Sequence, residues 1–189
     1  MDSINNSISS VTYSRYGFDT TLHTFVGTVN LRPDWSLTTN KMVFISNHDS
    51  VFNVHITNIS ASLTGDTIFP TRLTDAPASD NINYFCYPSF SPDGSKILYT
   101  SAKSGHEEIW VMNANGSVKT QLTHMNASIA RRPRYSPTAD RISFYSNAVV
   151  SGSDSLQVFI MNPNGDSLQQ ITTTQNNFDP AWSPDGKQI

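Results

Sequence analysis

Apolar residues in this chain fall in short runs separated by clusters of Ser, Thr, Asn, Asp, Gly and Pro, and no helical period competes with them. Met42-Val43-Phe44-Ile45, Ile97-Leu98-Tyr99-Thr100 and Ile142-Ser143-Phe144-Tyr145 are rich in β-branched and aromatic residues, which predicts strands. Ile109-Trp110-Val111-Met112 and Val158-Phe159-Ile160-Met161 are apolar at consecutive positions. A strand covered on one face only would alternate, so these runs predict sheets stacked on both sides.

The runs recur in register. Proline, any residue, an aromatic and serine stand at Pro33-Asp34-Trp35-Ser36, Pro88-Ser89-Phe90-Ser91, Pro133-Arg134-Tyr135-Ser136 and Pro180-Ala181-Trp182-Ser183, spaced by 55, 45 and 47 residues. Six residues after the serine come Met42, Ile97, Ile142 and Ile189, and eight after it come Phe44, Tyr99 and Phe144. Ser91-Pro92-Asp93-Gly94 and Ser183-Pro184-Asp185-Gly186 have the preferred occupants of a type I turn, Ser136-Pro137 keeps the proline, and Ser36 keeps only the serine. Asn115-Gly116 and Asn164-Gly165 suit tight hairpins, and the units close on Leu73-Thr74, Leu122-Thr123 and Ile171-Thr172. Four antiparallel strands per forty-odd residues, repeated head to tail, describe β-propeller blades.

Pro-x-aromatic-Ser-Pro-Asp-Gly, followed by Lys96-Ile97-Leu98-Tyr99-Thr100-Ser101, Glu108-Ile109-Trp110-Val111-Met112-Asn113, Asn115-Gly116 and Gln121-Leu122-Thr123, closely resembles the TolB-type, WD-like propeller repeat. The resemblance spans roughly residues 31–189; the Gly-His and Trp-Asp signatures of the WD-repeat family proper are missing. It implies an all-β fold, an incomplete β-propeller of about three four-stranded antiparallel blades plus the start of another. The units fall at about 31–74, 86–123, 131–172 and 178–189. Residues 1–30 read as an N-terminal segment holding the end of a preceding blade, since Leu22 precedes Pro33 by the same eleven residues that separate Leu122 from Pro133. If each open end of such a row left ~500 Å² of apolar surface bare, the forfeited burial would be roughly 12 kcal/mol per face. The expectation is therefore a piece of a longer polypeptide, six-bladed as in TolB relatives, with self-association through open blade faces as the second choice.

Composition narrows the partners. Net charge is −3 and 14% of residues are charged, so a polyanion such as nucleic acid is not expected. No run of eighteen apolar residues suggests membrane insertion, and the first thirty residues lack the basic start and apolar stretch of a secretory signal. The resemblance implies a periplasmic or extracellular setting. Cys86 is the single cysteine, flanked by Phe85 and Tyr87, and reads as a small buried apolar group rather than a nucleophile.

Catalytic signatures are missing: Gly-x-Ser-x-Gly, His-Glu-x-x-His and Gly-x-x-x-x-Gly-Lys do not occur. His23, His48, His55, His106 and His124 are scattered, and ordinary surface or strand positions explain them better than metal ligation. The Asn-x-Asn-Gly segments place Leu122 or Ile171 where a calcium loop needs a bidentate Glu, so neither cofactor nor metal is expected. Arg131, Arg132 and Arg134 form the basic cluster of the chain and read as a solvated loop.

In a four-stranded meander the loop between strands two and three shares an end with the connection to the next blade, and those connections vary in length here. Variable loops on a rigid scaffold carry recognition. The expected contact face comprises His48, Asp49, Tyr84, Phe85 and His106, together with Arg131, Arg132, Asp154 and Phe178. The expected function is a non-enzymatic scaffold for a protein or peptide, which resemblance to TolB would set in the Tol-Pal envelope system, although TolB's N-terminal domain has no counterpart here. The alternative is the substrate-gating propeller of a prolyl oligopeptidase-type or tricorn-like peptidase whose catalytic domain lies elsewhere. Sugar binding is a third reading, supported by scattered aromatics and histidines alone.

Overall fold

The structure, a computed structural model, describes residues 9–15, 18–24, 29–48, 50–59, 70–76, 79–125, 128–148 and 155–189, the first two stretches as backbone. Among these residues there is no helix. β1 (Ser9–Arg15) and β2 (Phe18–Thr24) form an antiparallel hairpin, paired from Ser9 with Thr24 to Arg15 with Phe18. Three antiparallel four-stranded sheets follow. The first holds β3 (Asn30–Ser36), β4 (Lys41–Ser46), β5 (Asn53–Asn58) and β6 (Thr71–Arg72). The second holds β7 (Ser89–Phe90), β8 (Lys96–Ser101), β9 (Glu108–Asn113) and β10 (Thr120–Gln121). The third holds β11 (Ala130–Tyr135), β12 (Ile142–Ser146), β13 (Gln157–Met161) and β14 (Gln169–Gln170).

Every sheet is a meander with its first strand at one edge. Of these edge strands, β7 lies against both β3 and β11, so the first strands converge on one axis and the sheets fan out from it as blades. The row is open, an all-β incomplete propeller as expected. The opening turn of a further unit recurs at Ser183, whose Oγ accepts the Gln188 N–H at 2.9 Å.

Consecutive apolar residues are explained by the stacking. Ile97, Tyr99, Trp110 and Met112 pack against Val43, Ile45, Val54 and Ile56 of the first blade. Leu98 and Ile109, one residue out of phase, pack against Ile142, Phe144, Phe159 and Met161 of the third. Period-2 alternation thus sends the odd and even positions of one strand into two different inter-blade cores. Fully burying a Leu- or Phe-sized side chain stabilises by about 1.5–3 kcal/mol, so these two cores hold the blades together.

The repeated threonine also has a definite role. Thr74, Thr123 and Thr172 each accept, through Oγ1, the backbone N–H of the second residue of strand three: Val54 at 2.8 Å, Ile109 at 2.8 Å and Val158 at 2.9 Å. Each hydroxyl then donates to the side chain of the residue before: Asn53 at 2.9 Å, Glu108, and Gln157 at 2.7 Å. A second hydrogen bond from that side chain fixes the departing chain, reaching Ala76 N–H at 2.8 Å, Met125 N–H at 2.6 Å or the Gln175 carbonyl at 2.7 Å. The latch needs a hydroxyl able to accept and donate at once, which valine cannot do.

In the Asn-Gly hairpins positive φ falls on the glycine, 84° at Gly116 and 91° at Gly165, and again two residues on at Val118 and Ser167, 54° and 56°, but not on Asn115 or Asn164. The serine-led turns form as expected, with Gly94 N–H donating to the Ser91 carbonyl at 2.8 Å. Serine and threonine hydroxyls there hold neighbouring carboxyls below the usual carboxylate range. Ser91, then Ser95, lowers Asp93 to about 2; Thr138, then Ser136, lowers Asp140; Ser183 lowers Asp185.

Candidate functional site

Proline has no N–H for a ladder, and Pro33 and Pro133 both sit inside innermost strands. The register slips around them. Leu31 pairs with Ile45 and Asp34 with Val43, so Arg32 and Pro33 together oppose Phe44. Arg131 pairs with Tyr145 and Arg134 with Ser143, so Arg132 and Pro133 oppose Phe144. These are β-bulges of one extra residue, a device that re-aims a side chain. Arg32 and Arg132 have φ of 58° and 55°, and Asp179, at the same place before Pro180, has 59°. Left-handed backbone is uncommon at residues other than glycine and gathers at functional sites.

The position before the proline is therefore a column running from blade to blade: Arg32, Tyr87, Arg132, Asp179. Its members touch in sequence. The Arg32 guanidinium lies 4.3 Å from the Tyr87 ring centre, the Arg132 guanidinium 4.1 Å from the same ring, and Arg132 pairs with Asp179. One turn of strand further along, Arg134 Nη1 meets Asp34 Oδ1 at 2.8 Å across the small, buried Ser89, while Asp34 Oδ2 accepts the Phe90 N–H at 2.8 Å. Beyond this pair a cleft of about 520 Å³ opens among Trp35, Leu37, Pro92, Tyr135 and Trp182.

Loops widen the mouth above the column. Arg131 stacks on Phe85 at 3.8 Å and pairs with Glu107 at 2.5 Å, and Asn83 donates to the other Glu107 oxygen at 2.6 Å. Tyr84 meets Arg32 at 4.9 Å and stands edge-on to Phe85 and Phe52. Phe178 stands edge-on to Tyr145, whose phenol burial raises against the pull of the Arg131 charge. Tyr84, Phe85 and Phe178 remain 46%, 42% and 58% exposed. Behind them Cys86 is fully enclosed, and burial pushes its thiol up to about 12, which keeps it protonated and unreactive.

Of the expected contact residues, the structure gathers Tyr84, Phe85, Arg131 and Arg132 into one cluster and sets Phe178 beside Asp179 at its rim. His48 is exposed on the β4–β5 loop and His106 on the β8–β9 loop, at the same end of the blades. Asp49 and Asp154 lie outside the described residues. One reading is corrected: Arg131, Arg132 and Arg134 belong to β11, not to a solvated loop, and each pairs with a carboxylate. Arg32, Tyr87, Asp179 and Asp34 were missed, although aligning the units on their prolines exposes the column. Among the described residues no group of three or more His, Cys, Asp or Glu could hold a metal ion. No helix there is long and apolar enough to cross a membrane.

Stacked four-stranded blades, the proline-led repeat and an axial mouth define a β-propeller of the TolB type. The family model described as the TolB beta propeller domain matches residues 71–189, and the chain belongs to that family. Similar curated proteins include an uncharacterized protein, Atu1656, of Agrobacterium fabrum, 26% identical over 82% of this chain and 52% of its own length. The Tol-Pal system protein TolB of Francisella tularensis is 27% identical over 76% of this chain and 31% of its own length. The uncharacterized peptidase YuxL of Bacillus subtilis is 27% identical over 54% of this chain and 16% of its own length. The chain thus spans about half or less of these relatives. Among solved structures, putative TolB from Agrobacterium tumefaciens superposes with a TM-score of 0.67 at 22% identity, over 95% of this chain and 67% of that one. TolB from Acinetobacter baumannii gives 0.68 at 17% identity, over 96% and 47%. A puromycin hydrolase gives 0.55 at 12% identity, over 75% and 21%. These likenesses concern the fold.

Proposed function

We propose that the chain is a non-enzymatic binding module that presents the loop end of its blades to a protein or peptide partner. The observation that carries this reading is the exposure of Tyr84, Phe85 and Phe178 around a mouth whose arginines are immobilised by stacking and ion pairs. Rigid aromatics and arginines supply contact energy at low ordering cost, and they dominate protein interfaces. Likeness to Tol-Pal system protein TolB supports a partner of the kind found in a Tol-Pal-like envelope complex, on the periplasmic side. The test is a Tyr84→Ser, Phe85→Ser double variant. It should lose partner binding by tenfold or more while its melting temperature stays within a few degrees; loss of stability with binding intact per folded molecule would refute the reading.

A second reading is favoured by the peptidase relative and the hydrolase neighbour: the blades gate substrate for a catalytic domain carried elsewhere in a parent protein. Under that reading the same face meets substrate peptides, and the nucleophile belongs to another part of the polypeptide.

A further inference from the structure

The arginines of the mouth are not equivalent. Arg131, Arg132 and Arg134 are each matched by one carboxylate, from Glu107, Asp179 and Asp34. Arg32 is matched by none among the described residues. It lies between the Tyr84 and Tyr87 rings, and its Nε is buried without a hydrogen-bond partner. A guanidinium carries five N–H donors in a planar fork that fits a carboxylate with two parallel bonds. Ring faces compensate its charge in part but accept none of its in-plane hydrogen bonds. A partly buried cation set against two rings, with its Nε–H unspent, is a preorganised receptor for one negative charge.

We propose that Arg32, flanked by Tyr84 and Tyr87, is a subsite for the side-chain carboxylate of an Asp or Glu on an incoming peptide segment; this rests on the binding-module reading. Charge arithmetic favours a monoanion: among the described residues, three of the four guanidiniums of the mouth are paired with a carboxylate and Arg32 is the one left over. The exposed Tyr84 and Phe85 rings beside it suit apolar residues flanking the acidic one. The bulge explains the geometry: φ of 58° at Arg32 turns its side chain out of the ladder and into the column.

The test is a titration of the ¹⁵N-labelled full chain with acetyl-Leu-Glu-Leu-amide, acetyl-Leu-Gln-Leu-amide and acetyl-Leu-Gln-Leu with a free C-terminus. The readouts are the Arg32 Nε–H resonance, assigned by through-bond correlation to its own backbone amide, and the Tyr84 and Phe85 amide shifts, which the Arg32 variants retain. The Glu peptide is expected to shift them at millimolar concentration, at least tenfold more tightly than either Gln peptide. Arg32→Gln should abolish the preference, and Arg32→Lys, which keeps charge but not the planar fork, should weaken it. The comparison of Glu with Gln needs no variant, so it stands even if Arg32→Gln fails to fold. Equal affinity for the Glu and amidated Gln peptides, with shifts at Tyr84 and Phe85, would overturn the subsite and leave the binding module intact. A response to the free C-terminus alone would overturn the side-chain assignment. Peptide-induced shifts nowhere on this face would remove both. An Arg32 Nε–H already hydrogen-bonded to an internal carboxylate in the free protein would also overturn the subsite.

Discussion

Gly165 lies beneath the carbonyl of Leu122, so close that a Cβ built on it would stand 2.6 Å from that oxygen. Gly116 repeats the relation one blade earlier, with its Cβ site 3.1 Å from the Leu73 carbonyl. The Asn-Gly turns of the second and third blades thus seat on the Leu-Thr ends of the blades before them. Two sequence signatures that look local are the two halves of one inter-blade contact.

Gly165→Ala should therefore destabilise by about 3 kcal/mol, combining overpacking with left-handed strain. Gly105→Ala is the control. Its φ is 99° but its Cβ would meet nothing within 4 Å, so it should cost about 1 kcal/mol from strain alone. Urea unfolding of the two variants separates contact from conformation.

Ala139 occupies the position held by Gly94 and Gly186 in the other serine-led turns, with φ of 61° against 71° and 70°. Ala139→Gly should raise stability by about 0.5–1 kcal/mol, since relief of left-handed strain outweighs the added freedom of the unfolded chain. A shift of the melting temperature upward by a few degrees is the expected reading.

The threonine latch makes the reverse case. Thr123→Val keeps shape but orphans the Ile109 N–H and a carboxylate oxygen of buried Glu108. The cost should be about 2–4 kcal/mol, more than the loss of one satisfied hydrogen bond, because two buried polar groups are left without a partner.

The apolar strands of the three blades, their turns and the blade-closing Leu-Thr were legible in the sequence, because each is set by local chemistry repeated in register. The mouth was only half legible. Tyr84 and Phe85 announced themselves as aromatics on a variable connection, but Arg131, Arg132 and Arg134 looked solvated because sequence shows charges and not their partners. Asp34 is a hundred positions from Arg134, so their meeting depends on how many blades separate them and on the smallness of Ser89 between. The bulge was hidden too: a proline in an inner strand signals interrupted pairing, yet the direction in which Arg32 turns follows from register, which only the assembled sheet fixes. The β1–β2 hairpin went unread because its Ser/Thr-rich stretch carries no member of the repeated phrase.

Alkaline pH should unfold the chain early. Burial raises Cys86 from 9.0, and Tyr135 from 10.0, to about 12 in each case. Both stay neutral in the fold while the unfolded chain ionises, so stability is intact below pH 9 and falls as pH rises toward 12. Each group weakens the folding equilibrium up to about tenfold per pH unit in its window. Urea midpoints at pH 7, 9, 10 and 11 should decline with this onset, and Cys86→Ala should flatten the decline. A thiol reagent at pH 8 should modify Cys86 only at the rate of unfolding.

The convergence of the innermost strands on one axis is tested most directly by a double-mutant cycle on Asp34 and Arg134, using Asp34→Asn, which still accepts the Phe90 N–H, and Arg134→Gln. The pair is partly exposed, so a coupling of about 0.5–1 kcal/mol between blades one and three is expected. A coupling indistinguishable from zero at low salt, with both single variants folded, would contradict it.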